Sequence, residues 1–423
     1  MYHLKSLSLN VLCNIRKYIW NCPKMLTQKQ TNFVNKVAAE YGFNKFKLKI
    51  EAGSKKGDNY LGIIFSVKIL EGDRQKSLII KCADKNEELR KQFPVTKCYQ
   101  REAFIYKEVI PAFLSIQNDV DLPHPTRAFA KFHGACLDDK EEFLVFDNMK
   151  AEGFLLKDRK LTMNHDHIEM IIKELAKIHS LSFVLKHHRP EQYAQFSENL
   201  NDYLKDFFGS WVEQMKKRFS YVYSAVKEND EAINALKGIE QNVEVIFKEV
   251  SEDNLNLVII HGDSWCNNLL FKYEDALKSE KPTTCCFLDW QISKIGSPAY
   301  DLCYFLFLSG SKDILENHKK YLSIYYKILG ENLNSAGINI NEIFPYDLLE
   351  AHWKMFCKVV FFVAVGNMDF LLRDESEAKT LSEMVEGGRL LFDDMYQDHQ
   401  YRSELYYKRM ADIVSMLLKY KYI

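Results

Sequence analysis

From residue 25 onward, two kinds of apolar spacing divide the chain. A helical pattern covers about 27–41. Three strand-like segments follow. Residues 46–51 alternate apolar and polar side chains, 60–70 are rich in β-branched and aromatic residues, and 76–82 carry the run Leu78-Ile79-Ile80-Lys81. Tyr99, Tyr106, Val109 and Ile110 lie at helical spacing and predict a helix over 95–110. Two further strand signals, 128–135 and 142–147, complete a five-stranded unit with one inserted helix, ending near residue 148.

Beyond Lys150 the pattern is mostly helical. Asn164 can cap a helix whose stripe is Ile168, Ile171, Leu175 and Ile178. Long helical stretches are predicted at about 200–225, 228–250, 312–330, 343–372 and 376–420. Between 255 and 292 the pattern changes to strand (257–260), polar loop (261–268) and strand (284–289). The expected division is an N-terminal extension (1–25), a strand-rich N-lobe (26–148) and a mostly helical C-lobe (149–423) that contains the polar loop. The joint is placed where the pattern changes, since only nine prolines occur and none forms a stiff linker.

The balance of 57 Lys+Arg against 58 Asp+Glu leaves a net charge of -1 and gives no sign of nucleic-acid binding. No apolar run reaches the roughly 18–20 residues that span a bilayer; the longest, 359–368, reads as a buried helix. Ten scattered cysteines without a CxxC pair suit a reducing, cytoplasmic setting. The first 39 residues hold six basic side chains and no acidic one, and read as a dispensable extension or a mitochondrial presequence.

The segment His261-Gly262-Asp263-Ser264-Trp265-Cys266-Asn267-Asn268 puts a carboxylate and a carboxamide five positions apart in a polar loop between apolar runs. Some twenty residues later a second strand ends in Leu288-Asp289. Phosphoryl transfer from ATP needs these parts: one carboxylate, Asp263, to orient the attacking hydroxyl and take its proton, and hard oxygens from Asn268 and Asp289 to hold Mg²⁺. The N-terminal unit then has to supply a phosphate loop, a lysine and a glutamate. The turn 53–62, Lys81 at the end of the third strand and Glu102 on the following helix appear in that order.

These pieces resemble the ecdysteroid kinase-like family, also described as choline-kinase-like (CHK) kinases, which is similar to aminoglycoside and choline kinases. The matching pieces are Lys56-Gly57-Asp58-Asn59-Tyr60, the strand ending in Lys81, Arg101-Glu102-Ala103-Phe104-Ile105-Tyr106 with Pro111, Phe143-Leu144-Val145-Phe146-Asp147-Asn148-Met149, the 261–268 loop, Leu288-Asp289-Trp290-Gln291, and Gly296-Ser297-Pro298-Ala299-Tyr300-Asp301-Leu302. The resemblance covers roughly residues 30–400. It implies an α+β, bilobal protein-kinase-like fold with a five-stranded antiparallel N-lobe sheet and a mostly helical C-lobe. It further implies a Mg²⁺- and ATP-dependent kinase of a small-molecule alcohol, an ecdysteroid by the family's name. Position by position, Asp263 resembles the catalytic base, Asn268 and Asp289 the metal ligands, and Lys81 the phosphate-binding lysine with Glu102 its partner. Gly57 and Asn59 fall in the phosphate loop, and Asp147 to Met149 lie along the adenine. His261 and Asp301 are expected to buttress the loop.

Departures from the protein-kinase pattern narrow the acceptor. Gly262 stands where an arginine pairs with an activation-loop phosphate, Trp290 and Gln291 follow Asp289, and only eleven residues separate Asp289 from Asp301. That is too short for a peptide-docking segment. Phenols or glycosylated xenobiotics are alternative acceptors, as is the cationic acceptor of a choline- or aminoglycoside-type kinase, and a non-catalytic binder is a reading of another class. His133, His165, His167, His179, His187 and His188 lack metal-ligand spacing and read as structural. Trp353, Phe356, Phe361 and Phe362 read as core more readily than as pocket wall.

Overall fold

The computed structural model describes residues 25–55, 57–252, 257–275, 280–395 and 403–423; the N-terminal extension and Lys56 lie outside them. A first helix, α1 (Gln28–Glu40), starts at a capping box in which Thr27 and Gln30 exchange side-chain and backbone hydrogen bonds. It covers one face of an antiparallel sheet of strands β1 (Lys47–Ala52), β2 (Ile63–Glu71), β3 (Arg74–Cys82), β4 (Phe132–Cys136) and β5 (Phe143–Asp147), in the order β1-β2-β3-β5-β4. Val34 and Val37 of α1 bury against Val67, Ile69, Leu78, Ile80 and Val145 in a core of their own.

The helix that carries Glu102 is longer than the spacing predicted. It runs as α2 (Val95–Phe104), one π turn (Ile105–Val109) and α3 (Ile110–Asp119). Pro111 has no N–H to give the preceding turn and its ring crowds that turn's carbonyls. The ladder absorbs this by widening to π geometry instead of ending.

The remainder is helical around α4 (His165–His188), which Asn164 caps as expected by accepting from the His167 amide. Other predicted stretches are broken. Residues 200–225 become helical at α5 (Phe208–Ala225), and 228–250 splits into α6 (Asp230–Gln241) and α7 (Val243–Glu252). The apolar spacing predicts no separate helix over 298–309, yet α8 (Pro298–Ser309) forms there and is almost wholly buried. The stretch 312–330 continues as α9 (His318–Ser335) after a short separate turn, and 343–372 is the single helix α10 (Tyr346–Leu372). The stretch 376–420 contains short helices before α11 (Glu404–Lys419), because Gly387 and Gly388 take left-handed φ values of 74° and 78°. Helix α8 packs along α10, and α9 along α4. Helix α10 is apolar enough to cross a membrane by composition, but 78% of its most apolar window is buried inside the fold. Trp353, Phe361 and Phe362 are fully buried core.

Between the sheet and these helices lies a layer of short strands. Strands β6 (Leu155–Leu156), β8 (Leu269–Lys272) and β9 (Thr284–Phe287) form one small sheet, and β7 (Val258–Ile260) pairs with β10 (Lys294–Gly296). This is the bilobal protein-kinase-like architecture: an antiparallel sheet above, helices below, and the polar loop 261–268 at the junction.

The turn from β1 to β2 is fixed by Gly62. Its φ is 93°, and a Cβ there would lie 2.1 Å from the Cys82 carbonyl oxygen and 2.6 Å from the Tyr99 hydroxyl. Gly62→Ala therefore combines left-handed strain of about 1–2 kcal/mol with a backbone clash. Urea unfolding is expected to show a loss of at least that size.

Candidate active site

Lys81, near the end of β3, reaches Glu102 on α2 with Nζ 2.7 Å from Oε2, and Asp289, just past β9, at 2.8 Å from Oδ1. Lys81 and Glu102 are buried. Burial pulls the Lys81 pKa down, but the facing Asp289 and Glu102 carboxylates outweigh it and hold the ammonium at about 12. Burial raises the Glu102 carboxyl, and Lys81 opposes that rise. Asp289 has a φ of 62°, a left-handed conformation that Asp tolerates better than most residues.

The loop 261–268 hangs from α8. Asp301, wholly buried, accepts from the backbone N–H of His261 (2.7 Å) and of Gly262 (2.9 Å), and lies 3.3 Å from His179 Nε2 on α4. Burial raises its pKa, but these donors win and hold the carboxyl below its ordinary value. His261 donates through Nε2 to the Leu288 carbonyl (2.9 Å) and accepts the Asp263 amide on Nδ1 (3.2 Å), which fixes its tautomer and ties the loop to the strand before Asp289. Burial keeps the imidazole neutral by lowering its pKa. Gly262 takes φ 84°, and a Cβ there would sit 2.7 Å from the Ile292 carbonyl oxygen. An arginine is thus excluded at 262 by the backbone itself.

Asp263 is held at both oxygens. The Tyr304 hydroxyl on α8 donates to Oδ1, and Asn268 Nδ2 donates to Oδ2 (2.9 Å) and to the Asp263 carbonyl (2.9 Å). The surrounding protein pushes the Asp263 pKa up to about 7; the hydrogen bond from Tyr304 lowers it, the nearby Asp289 carboxylate raises it, and Asn268 and Lys81 lower it. Tyr304 is itself buried, with its pKa raised well above the usual phenol value, so it stays a neutral donor.

Ile64, Ile79, Phe146, Leu156, Leu270 and Leu288 form apolar walls of a cleft that ends on Lys81, Glu102, Asn268 and Asp289. Asn59, Asp147 and Met149 also line it. Several expected binding residues have prior commitments. Asn59 Nδ2 donates to the Gly62 carbonyl (2.9 Å) and braces the loop. The Asp147 carboxylate is tied through Oδ1 to Lys76 (2.8 Å) and His133 (2.6 Å). Gly57 does not line the cleft: its carbonyl accepts Asn267 Nδ2 at 3.1 Å, which joins the glycine-containing loop to the loop of Asp263.

Sequence reasoning missed Tyr304, Asn267 and Asn367. Tyr304 lies one turn beyond Asp301 on the same helix, so i, i+3 spacing was an available signal once Asp301 was placed. Asn267 and Asn367 have no such signal, because each acts across a distance in sequence: Asn267 to Gly57, and Asn367 to Tyr304.

The donor set fits Mg²⁺. Both Nδ2 protons of Asn268 go to acceptors, which leaves its Oδ1 as a hard oxygen for a metal, and Asn268 and Asp289 both line the cleft. Among the described residues there is no group of three or more His, Cys, Asp or Glu able to cage a metal. Two protein oxygens completed by phosphates and water is how Mg²⁺ is held in kinase sites.

Fold and site together define a small-molecule kinase. The model of the ecdysteroid kinase-like family matches residues 56–338, well over half of the chain, and the chain belongs to that family. No curated protein sequence matches it significantly. Solved structures similar to it include an ethanolamine kinase of Plasmodium vivax (14% identity, 98% of this chain and 97% of that chain covered, TM-score 0.40). Others are a choline kinase of Cryptosporidium parvum (10% identity, 93% and 98% covered, TM-score 0.45) and a spectinomycin phosphotransferase solved with ADP and spectinomycin (12% identity, 93% and 98% covered, TM-score 0.45).

The raised Asp263 pKa has a consequence for stability. A carboxyl raised by burial to about 7 from its ordinary 3.8 contributes stability below about pH 4, and that stability is lost as pH rises through 7. Asp263→Asn removes this dependence. Relative to wild type, its thermal midpoint is expected to climb between pH 4 and 7 and to level off above, measured by calorimetry across that range.

Proposed function

We propose that this protein is an ATP- and Mg²⁺-dependent phosphotransferase that phosphorylates a small-molecule alcohol, an ecdysteroid hydroxyl in the first instance. The observation that carries the reading is the convergence of Lys81, Glu102, Asn268 and Asp289 on one interlobe cleft, with Asp263 hydrogen-bonded to Asn268 at its end. Adenine lies between the apolar walls, read by backbone groups at Asp147 and Met149. Lys81, held by Glu102, binds the phosphates. Asn268 and Asp289 hold Mg²⁺, which screens the phosphate charge. Asp263 orients the acceptor hydroxyl and takes its proton as the oxygen attacks the γ-phosphorus; the bond to the bridging oxygen breaks and ADP leaves.

The acceptor side favours a neutral, flat alcohol. Tyr300 stacks on Tyr304 (5.8 Å between centroids) and meets Phe356 edge-on (6.1 Å). The carboxylates nearby in the chain and fold are ion-paired: Asp202 to Lys294 at 2.5 Å and Asp369 to Arg373 at 2.8 Å. A choline-type cation there would have to rely on cation–π contact, since these carboxylates already have partners. Phenols and glycosylated xenobiotics share the flat apolar character and stay with ecdysteroids in the acceptor class.

The test is mass spectrometry of a panel (steroids including ecdysone, phenols, glucosides, choline and an aminoglycoside) incubated with the protein and Mg²⁺-ATP. A gain of one phosphate on a neutral alcohol is expected. Transfer to choline or the aminoglycoside alone would overturn the acceptor class, and no Mg²⁺-ATP binding by calorimetry would overturn the kinase reading. Asp263→Asn is expected to keep nucleotide affinity and lose about 10²-fold or more in turnover, within the range of general base catalysis. Asp289→Ala is expected to weaken Mg²⁺-dependent ATP binding at least tenfold.

A further inference from the structure

Tyr304 makes contacts that the roles assigned so far leave unexplained. It sits one helical turn after Asp301, so two side chains of α8 grip the same loop. Asp301 holds the backbone of His261 and Gly262, and Tyr304 holds the carboxylate of Asp263. The Tyr304 oxygen in turn accepts from Asn367 Nδ2 of α10 at 2.8 Å. With that proton arriving from Asn367, the hydroxyl's own proton is directed at Asp263. Tyr304 is buried and packed between α8 and α10, and its ring stacks on Tyr300.

We propose that Tyr304 is a positioning residue for the phosphoryl-transfer step: aimed by Asn367, its hydroxyl pins Asp263 Oδ1 and leaves Oδ2 as the oxygen that receives the acceptor's proton. The inference rests on Asp263 being the base. Both carboxylate oxygens are needed for the argument. Oδ2 faces Asn268, the side chain whose other terminus offers an oxygen to the metal, so the oxygen on that side lies toward the reacting phosphate. Oδ1 is taken by the hydroxyl of Tyr304, itself buried on α8. Without Tyr304 the carboxylate keeps only the Asn268 hydrogen bond at Oδ2, and Oδ1 can swing about that single contact. Misplacement of a reacting group by about 1 Å costs on the order of 10²-fold in rate.

The experiment uses full-length protein and the panel alcohol that wild type phosphorylates, with Mg²⁺-ATP hydrolysis by water as a second readout. Tyr304→Phe keeps the ring and its packing. It is expected to lower kcat by about 10- to 100-fold, with the KM for Mg²⁺-ATP within about twofold of wild type. Asn367→Leu is expected to produce a smaller loss of the same kind, because Tyr304 keeps its proton but loses its aim. In an Asp263→Asn background, Tyr304→Phe is expected to cost nothing further, since Tyr304 acts through Asp263 alone; such full coupling is the signature of one chain of action. Unchanged kcat in Tyr304→Phe overturns the proposal. So does a loss of equal size in both backgrounds, which would mark a general structural effect. An Asp263→Asn variant with full turnover would instead remove the base, and the proposal with it, so the two failures are distinguishable.

Discussion

One buried ammonium joins the parts of this molecule. Lys81 comes from the sheet, Glu102 from the helix beside it and Asp289 from the layer above the C-lobe, and both carboxylates lie within 2.8 Å of the same nitrogen. Neither lobe completes this group alone. An uncompensated charge at that depth costs several kcal/mol, so the pairing selects the relative placement of β3, α2 and the Asp289 turn that satisfies all three. The cleft between the lobes then has its walls and its floor in register, with the apolar strands on either side and the polar groups at the end.

The second constraint is the suspension of the loop 261–268. A three-residue strand is too short to hold such a loop by itself. Buried polar groups take over: Asp301 receives two backbone amides, His261 spans to the Leu288 carbonyl, Ser293 Oγ donates to the Ile260 carbonyl at 2.6 Å and Ser182 Oγ accepts the Ile259 amide at 2.8 Å. Each would be costly if left unpaired in this interior, so the network admits one arrangement. The φ of Gly262 is part of that arrangement. It closes the position to a phosphate-sensing arginine, and it makes the absence of a long segment between Asp289 and Asp301 a consistent feature of the same loop. Asp263 is thereby held near neutral pH in its proton affinity, at the expense of stability that a less buried carboxyl would not lose.

Local patterning made much of this legible. Alternation and β-branched runs mark the strands of the N-lobe sheet; short connections account for the β1-β2, β2-β3 and β4-β5 pairs, while the β3-β5 pair forms across the helical insertion. The ordered set of Lys81, Glu102, Asp263, Asn268 and Asp289 stands in the sequence because phosphoryl transfer requires those residue types in a chain order that the fold imposes. Helix ends were less legible. The π turn at Ile105–Val109 arises from a competition between Pro111 and the packing of Ile105, Tyr106 and Val109, all buried. The breaks within 376–420 depend on the glycines at 387 and 388. Helix α8 escaped notice because it is buried almost all round, and such a helix has little periodicity to detect.

By itself, then, the sequence determined the residue types of the site and the order in which the chain delivers them, since these follow from spacing and from the chemistry of each side chain. Only the tertiary structure decided how those groups are used. It showed that Asp147 is committed to Lys76 and His133, that Gly57 is held through its carbonyl by Asn267, and that Asp263 is gripped at both oxygens by Tyr304 and Asn268. The physical reason is that hydrogen-bond partners and burial are settled between segments tens to hundreds of residues apart. The spacing of residues along one segment carries no record of what another segment brings against it.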